Sequence, residues 1–376
     1  MEITRRSVLA GAAALAVTGP AVARSAVKGS GGDWYGRAIV IDGLGGIGDP
    51  YSPDTQTRLS DRAWAEMKRT GVTAVNQTIL PVGNQPDAWP ELLKNIDQFD
   101  NVLNANPDRL RLIRTAADLK AAKGAGQVGL IYGTQDTAMV GATLDRLTEL
   151  NKRGVRVVQL TYNLRNLSGD GALEPGNAGL SKLGRATIER IEKEKLLLDL
   201  SHGGARTILE AIAAAKRPPT ISHTGARAVF DHPRNVDDAT LKALADKGGV
   251  AGIYFMPYLV ASSKPSGEDL VRHIEHMAKV LGEDHLGIGT DGGFLPIEIN
   301  AETWKRAREA YEARTKAGFA APGEYPDTLT IVMDYNRLDR FQRLAEVLER
   351  RGWSSARLEK FFGGNLLRLY GEAWGA

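Results

Sequence analysis

Three apolar runs of the chain end in residues that could do chemistry: "DLSH" closes on His202, "ISH" on His223 and "IGTD" on Asp291. Neutral imidazole is a good ligand for Zn²⁺, and a carboxylate beside a metal-bound water can take up its proton. The segment "GARAVFDHPRN" after the second of these runs adds Arg227, His232, Arg234 and Asn235; Tyr162 and Asn163 follow "VRVVQLT", and Gln135 and Asp136 follow "VGLIYGT". A lone histidine at the end of a strand is ordinarily a hydrogen-bonded structural residue. Two on consecutive runs, with an aspartate on a third, favour metal binding or acid–base work. The remaining histidines invite the plainer reading. His273 and His276 lie three apart in the helical pattern "EDLVRHIEHMAKVLG", and His285 begins its run rather than ending it, so all three are expected to tie helix to strand, with His232 undecided.

Run-ends can share a site only if the runs lie side by side and point the same way. Eight apolar runs, each followed by a helical pattern, are expected to be the strands: residues 38–42, 72–78, 128–133, 155–162, 196–202, 219–223, 250–255 and 285–291. Their hydrophobicity is continuous rather than alternating, as parallel strands covered on both faces require. Helices between them are punctuated by Ser60-Asp61 before "RAWAEMKRTG", by Pro218-Pro219 and by Gly248-Gly249. Eight β/α units at this spacing predict an α/β fold of one kind, a single (β/α)8 (TIM) barrel, whose reactive groups gather at the C-terminal ends of the strands. The long stretch 292–327 after the eighth run carries the helix-like "AETWKRAREAYEARTKAG" and is placed to cover such a site.

The chain has 376 residues, 43% hydrophobic and 25% charged, with a net charge of +3 from 48 basic and 45 acidic residues. That balance gives no field for nucleic acid and no basic patch for a membrane surface, so a small-molecule substrate is the expected partner. Cysteine is absent, which excludes disulfides, thiolate ligands and a Cys nucleophile. Residues 1–23, with Arg5-Arg6, the apolar "VLAGAAALAVTG" and the site Ala21-Val22-Ala23, read as a twin-arginine signal peptide. Export to the periplasm, without a stable membrane anchor, is the expectation. Residues 24–36 then read as a linker and 37–376 as the barrel domain.

The stretches "GVRVVQLTYN", "GLSKLGRATIERIEKEKLLLDLSH", "ISHTGARAVFDHPRNVDD", "HIEHMAKVLGEDHLGIGTD" and "FFGGNLLRLYG" resemble, in order and over about residues 37–371, the membrane (renal) dipeptidase family of metallo-dependent hydrolases. The resemblance implies the (β/α)8 barrel, a zinc cofactor and a homodimer. It makes His202 and His223 the two histidine ligands of one zinc, Asp291 the acidic residue that handles the proton, and Arg234 the grip on the substrate's terminal carboxylate. In the family the first strand ends Asp-Gly-His-Asn-Asp, whose His and last Asp bind a second zinc. Here "IDGLGGIGD" puts Leu44 and Gly46 in those places. The bridging glutamate aligns with Gln135, and the substrate-polarising histidine with Tyr162.

The resemblance therefore implies a divergent member with one metal ion at most, since two ions about 3.5 to 4 Å apart need a bridging charge that Gln135 lacks. Gln135 is left as a weak neutral ligand, Tyr162 and Asn163 as substrate contacts, Asp42 as a brace for the turn and Asp49 as an outside candidate for a displaced ligand. Three readings stay open: a mononuclear zinc hydrolase of a small anionic amide or dipeptide-like substrate; a lyase or isomerase using Tyr162, His202, His223 and Asp291 on a small carboxylated or aromatic compound; and an inactive binding protein.

Overall fold

The computed structural model describes residues 34–53, 55–83 and 88–375, so the stretch read as a signal peptide lies outside the described residues. Ten strands run in chain order: β1 (Ile41–Gly46), β2 (Ala74–Thr78), β3 (Leu110–Leu112), β4 (Val128–Thr134), β5 (Val155–Gln159), β6 (Leu197–Asp199), β7 (Thr220–Thr224), β8 (Val250–Ile253), β9 (Leu286–Ile288) and β10 (Gly292–Gly293). Their order in the sheet is β10-β1-β2-β4-β5-β6-β7-β8-β9, and every pairing is parallel. β9 and β10 are two halves of one chain segment. The first pairs with β8 and the second with β1, through Gly45↔Gly292 and Gly46↔Gly293, which closes the ring. The result is the expected (β/α)8 barrel.

Seven of its eight staves overlap the apolar runs 38–42 to 250–255, β1 starting late in its run and continuing to Gly46, and the eighth begins in 285–291. β3 is the additional strand. It pairs with the first half of β4, at Leu110↔Val128, and its sequence, Leu-Arg-Leu, is too short and too charged to read as an apolar run. Helix boundaries follow local chemistry. Ser60 accepts a hydrogen bond from Ala63 N to cap Asp61–Thr70, and Gly71, at φ 72°, ends that helix in the left-handed conformation glycine favours.

One inward-facing cluster joins Ile41, Ala74, Ile131, Val157, Leu197 and Val250 of the strands to Leu366, Leu369, Tyr370 and Trp374 of the helix Asn365–Trp374. That helix seals the barrel at the end opposite the strand C-termini. Trp34 and Tyr35, in the stretch read as linker, belong to a short helix, Trp34–Arg37, that docks on the barrel: Trp34 Nε1 bonds Glu349 at 3.0 Å and the Tyr35 hydroxyl bonds Thr70 O at 2.8 Å. At the open end, the segment after β10 forms the helix Ala301–Lys316, capped by Asn300.

Candidate functional site

His202 follows β6 and His223 lies in β7, with ring centroids 4.8 Å apart and planes at 62°. Each ring is fixed through Nδ1. For His202 the partner is Asn163 Oδ1 at 2.6 Å, and the Asn163 amide nitrogen in turn donates to Phe319 O at 2.7 Å. For His223 it is Ser222 Oγ at 2.8 Å. Ser222 gives its own proton to the buried carboxylate of Asp199, which also accepts from Ser201 N, Ser201 Oγ and Ser222 N. Its oxygen is therefore left to accept from the imidazole. Both rings are thus Nδ1–H tautomers with a lone pair on Nε2. Both Nε2 atoms are buried and have no hydrogen-bond partner among the described residues. Burial, reinforced by the charge of Arg234, holds both pKa values well below the ordinary histidine range, so the rings are neutral at neutral pH.

Arg234 supplies the opposite character. Its side chain is 3% exposed, and Nη2 has no partner. A buried guanidinium left without a carboxylate is costly, and an incoming anion removes that cost. His232, left undecided by the sequence, positions this arginine: Nδ1 accepts from Arg234 N at 3.1 Å and Nε2 donates to Pro322 O at 2.8 Å. Arg227 turns instead toward Asp231 and His232 O. The other three histidines are structural, as expected, but they join helix to loop, helix to helix and loop to loop rather than helix to strand. His273 bonds Ala226 N and Leu259 O, His276 bonds Asp238, and His285 bonds Gly249 O.

Asp291 lies between β9 and β10 in the left-handed region, at φ 58°, and His202 shares that conformation at φ 62°. Such backbone is strained for residues other than glycine, and it clusters at functional sites. No hydrogen bond to the Asp291 carboxylate is found among the described residues. Burial raises its pKa from 3.8 to about 7, while Arg234 and Arg314 pull it down and Asp42 and Glu324 push it up. Tyr162 stacks on His202 with centroids 4.2 Å apart, and its hydroxyl accepts from Arg314 Nη1 at 3.0 Å.

The end of β1 is built differently. The pairing with β2 is irregular between Asp42 and Gly45, which puts a bulge at Gly43 and Leu44. Asp42 accepts from Thr290 N at 2.8 Å and Thr290 Oγ1 at 2.6 Å, the brace expected of it. Leu44 is buried and its carbonyl takes Asp291 N at 2.9 Å. A Cβ on Gly43 would stand 2.8 Å from Ile288 O. Asp49 accepts from Tyr51 N, Ser52 Oγ and Ser60 N, so it organises the following turn and is no displaced ligand. Gln135 is turned to Thr78 Oγ1 at 2.8 Å, and among the described residues no hydrogen bond links it to either imidazole.

These residues supply two ligands for a metal ion and none for a second ion. His202 and His223 present two free imidazole lone pairs, but among the described residues no third His, Cys, Asp or Glu joins them in a ligand group. Arg314, Glu324 and Phe319 escaped the sequence reading because they come from the covering segment, where nothing local marks them. Asp199 and Ser222 did have a signal: each immediately precedes or nearly precedes a histidine, in "DLSH" and "ISH".

The family model for membrane dipeptidases (peptidase family M19) matches residues 54–305. Among curated proteins, the dipeptidase tcpJ of Claviceps purpurea is 25% identical over 286 residues, 75% of this chain and 60% of that one. The dipeptidase verJ of Clonostachys rogersoniana is 28% identical over 212 residues, 56% of this chain and 55% of that one. The chain thus spans under two thirds of the length of these relatives. Among solved structures, an amidohydrolase from Pseudomonas aeruginosa is 27% identical with a TM-score of 0.77, covering 92% of this chain and 99% of that one. A metallopeptidase from Rhodobacter sphaeroides, liganded with a phosphinate mimic of the dipeptide L-Ala-D-Ala, shares the fold at a TM-score of 0.70 and 19% identity, covering 90% of this chain and 100% of that one.

Proposed function

The chain belongs to the membrane dipeptidase family, and from that premise we propose that it is a divergent hydrolase of small amide or dipeptide-like substrates carrying a terminal carboxylate, working with a single zinc ion. The observation that carries this reading is the pairing of two buried, unpartnered imidazole nitrogens with a buried guanidinium on a neighbouring element, whose Nη2 has no partner among the described residues. His202 and His223 would hold the ion, with its remaining coordination open to water or substrate. A zinc ion in such a site acidifies bound water and polarises a carbonyl oxygen.

The chain's own residues do the rest. Arg234 takes the carboxylate of the substrate and fixes its orientation by a charge-assisted hydrogen bond. Asp291, with a pKa of about 7, is suited to accept a proton at its carboxylate and to return it to the leaving amine at the same pH. Asn163 and the Ser222–Asp199 pair keep both imidazoles in one tautomer. Leu44 and Gly46, which take the places the resemblance assigns to the second zinc's ligands, have side chains that cannot ligate, which supports a mononuclear site.

Zinc titration of the metal-free protein by calorimetry, together with turnover of a dipeptide panel that includes a D-residue at the C-terminal position, tests this. One zinc per chain and hydrolysis of at least one dipeptide are expected. A protein that binds no zinc and cleaves none of the panel overturns the reading and turns attention to lyase or isomerase chemistry by Tyr162 and Asp291. Export by the twin-arginine route belongs to the same proposal. Replacing Arg5 and Arg6 by Lys should trap the protein in the cytoplasmic fraction, and unchanged periplasmic recovery would refute it.

A further inference from the structure

A phenol carries one proton and can accept at its oxygen lone pairs. At Tyr162 the oxygen accepts from Arg314 Nη1 at 3.0 Å, and among the described residues no acceptor takes the proton. Arg314 is not free to leave. Its Nε and Nη2 bond the two carboxylate oxygens of Glu324 at 2.6 and 2.8 Å, and Glu324 is itself held by the Tyr258 hydroxyl at 2.6 Å and Ala321 N at 2.9 Å. The guanidinium also lies 5.9 Å from the Tyr162 ring centroid and 5.1 Å from that of Phe319. The Tyr162 ring stacks on His202, one of the two imidazoles, with centroids 4.2 Å apart.

We propose that Arg314 is a positioning residue that commits the Tyr162 hydroxyl to donate a hydrogen bond to the substrate oxygen that gains negative charge during attack. The proton stays on Tyr162 Oη throughout, and no bond to Arg314 or Tyr162 is made or broken. A cation donating to the phenol oxygen polarises the O–H and strengthens it as a donor. Only the planar fork of arginine can bond Glu324 twice and still reach Tyr162. Without it the phenol oxygen loses the one donor it has among the described residues, and the O–H is no longer held in a single orientation. The inference rests on the amide-hydrolase reading and adds to it a residue from the covering helix.

The test measures calorimetric binding of the phosphinate mimic of L-Ala-D-Ala, whose charged oxygen stands for the developing oxyanion, to the zinc-loaded full chain. The same is done for Arg314→Met, Arg314→Lys, Tyr162→Phe and the Arg314→Met Tyr162→Phe double variant. The ¹³Cζ resonance of Tyr162 in the free protein, assigned by its loss in Tyr162→Phe, is read alongside. Arg314→Met and Tyr162→Phe should each weaken binding about tenfold, the double variant should be no weaker than Tyr162→Phe, and Arg314→Lys should recover only part of the loss. The ¹³Cζ resonance should move in Arg314→Met, and with a cleaved dipeptide kcat should fall while KM holds. An equal further loss on adding Arg314→Met to Tyr162→Phe, or an unmoved ¹³Cζ resonance, overturns the proposal. If the mimic does not bind the parent protein, the hydrolase reading falls instead, and the resonance alone decides the role of Arg314.

Discussion

The C-terminal ends of β6 and β7 and the C-terminal end of β1 face the same opening and are built on opposite plans. At β6 and β7 the polar groups are held from behind and left open in front. Asn163 and Ser222 satisfy one nitrogen of each imidazole, and the other is buried without a partner. At β1 the polar groups are consumed. Asp42 is spent on Thr290, the Leu44 carbonyl on Asp291 N, the Gly43 carbonyl on Asn76 and Ile47 N on Gln77. The first region conserves unmet bonding capacity for something that arrives, and the second uses its capacity to close the ring between β1 and β10. Buried polar groups are normally paired, and the two imidazole nitrogens left unpaired side by side at adjacent strand ends are where a ligand is expected.

This contrast predicts effects of very different size. Replacing both His202 and His223 by Ala should abolish zinc binding and lower turnover on the order of a thousandfold or more, read by metal analysis and kinetics. Retention of zinc by that variant would move the metal elsewhere and erase the contrast. Arg234→Met should raise KM by roughly 10- to 100-fold for substrates with a free terminal carboxylate and have little effect on C-terminally amidated ones. An equal loss on both substrates would mean that Arg234 supports the fold rather than the anion.

At the closing seam, Gly43→Ala should cost about 1–3 kcal/mol of stability in denaturant unfolding while the folded fraction still binds one zinc, because the new Cβ meets the fixed backbone oxygen of Ile288. Loss of zinc at unchanged stability would show that β1 takes part in binding after all. The smallest effect concerns Asp291. Its carboxyl titrates near 7 in the folded protein against 3.8 ordinarily, so between those values the folded chain keeps a proton the unfolded chain has released, and stability falls as pH rises. In metal-free protein, the Tm of Asp291→Asn relative to the parent should therefore climb between pH 4 and pH 8, by on the order of a few degrees. A difference that stays flat across that range would remove Asp291 from the role assigned to it.

The two regions were unequally legible in the sequence. The staves announce themselves because a parallel strand buried on both faces must be apolar throughout, and His202, His223 and Asp291 stand out as polar endings to such runs. The seam does not, because β10 is two glycines that pair through backbone alone and leave no side-chain pattern. β3 is hidden by the arginine at its centre. The Arg314 bond to Tyr162 joins residues 152 positions apart, and Arg314 lies in a helix whose only buried residue is Thr303, so neither periodicity nor spacing singles it out. Asp49 misled for a related reason: a carboxylate near a lost ligand position resembles a substitute until its three donors are seen.

The helix Asn365–Trp374 has a bearing on traffic. By filling the far end of the barrel with Leu366, Leu369, Tyr370 and Trp374, it leaves the end at the strand C-termini as the side from which the imidazole pair is approached. That side carries the strap that runs from Phe319 to Glu324 and is fastened to Asn163, Arg314 and Tyr258. Under the proposed hydrolysis, the fragments of a cut substrate leave on the side of that strap, and the fragment whose carboxylate Arg234 would hold is the one expected to delay the next round.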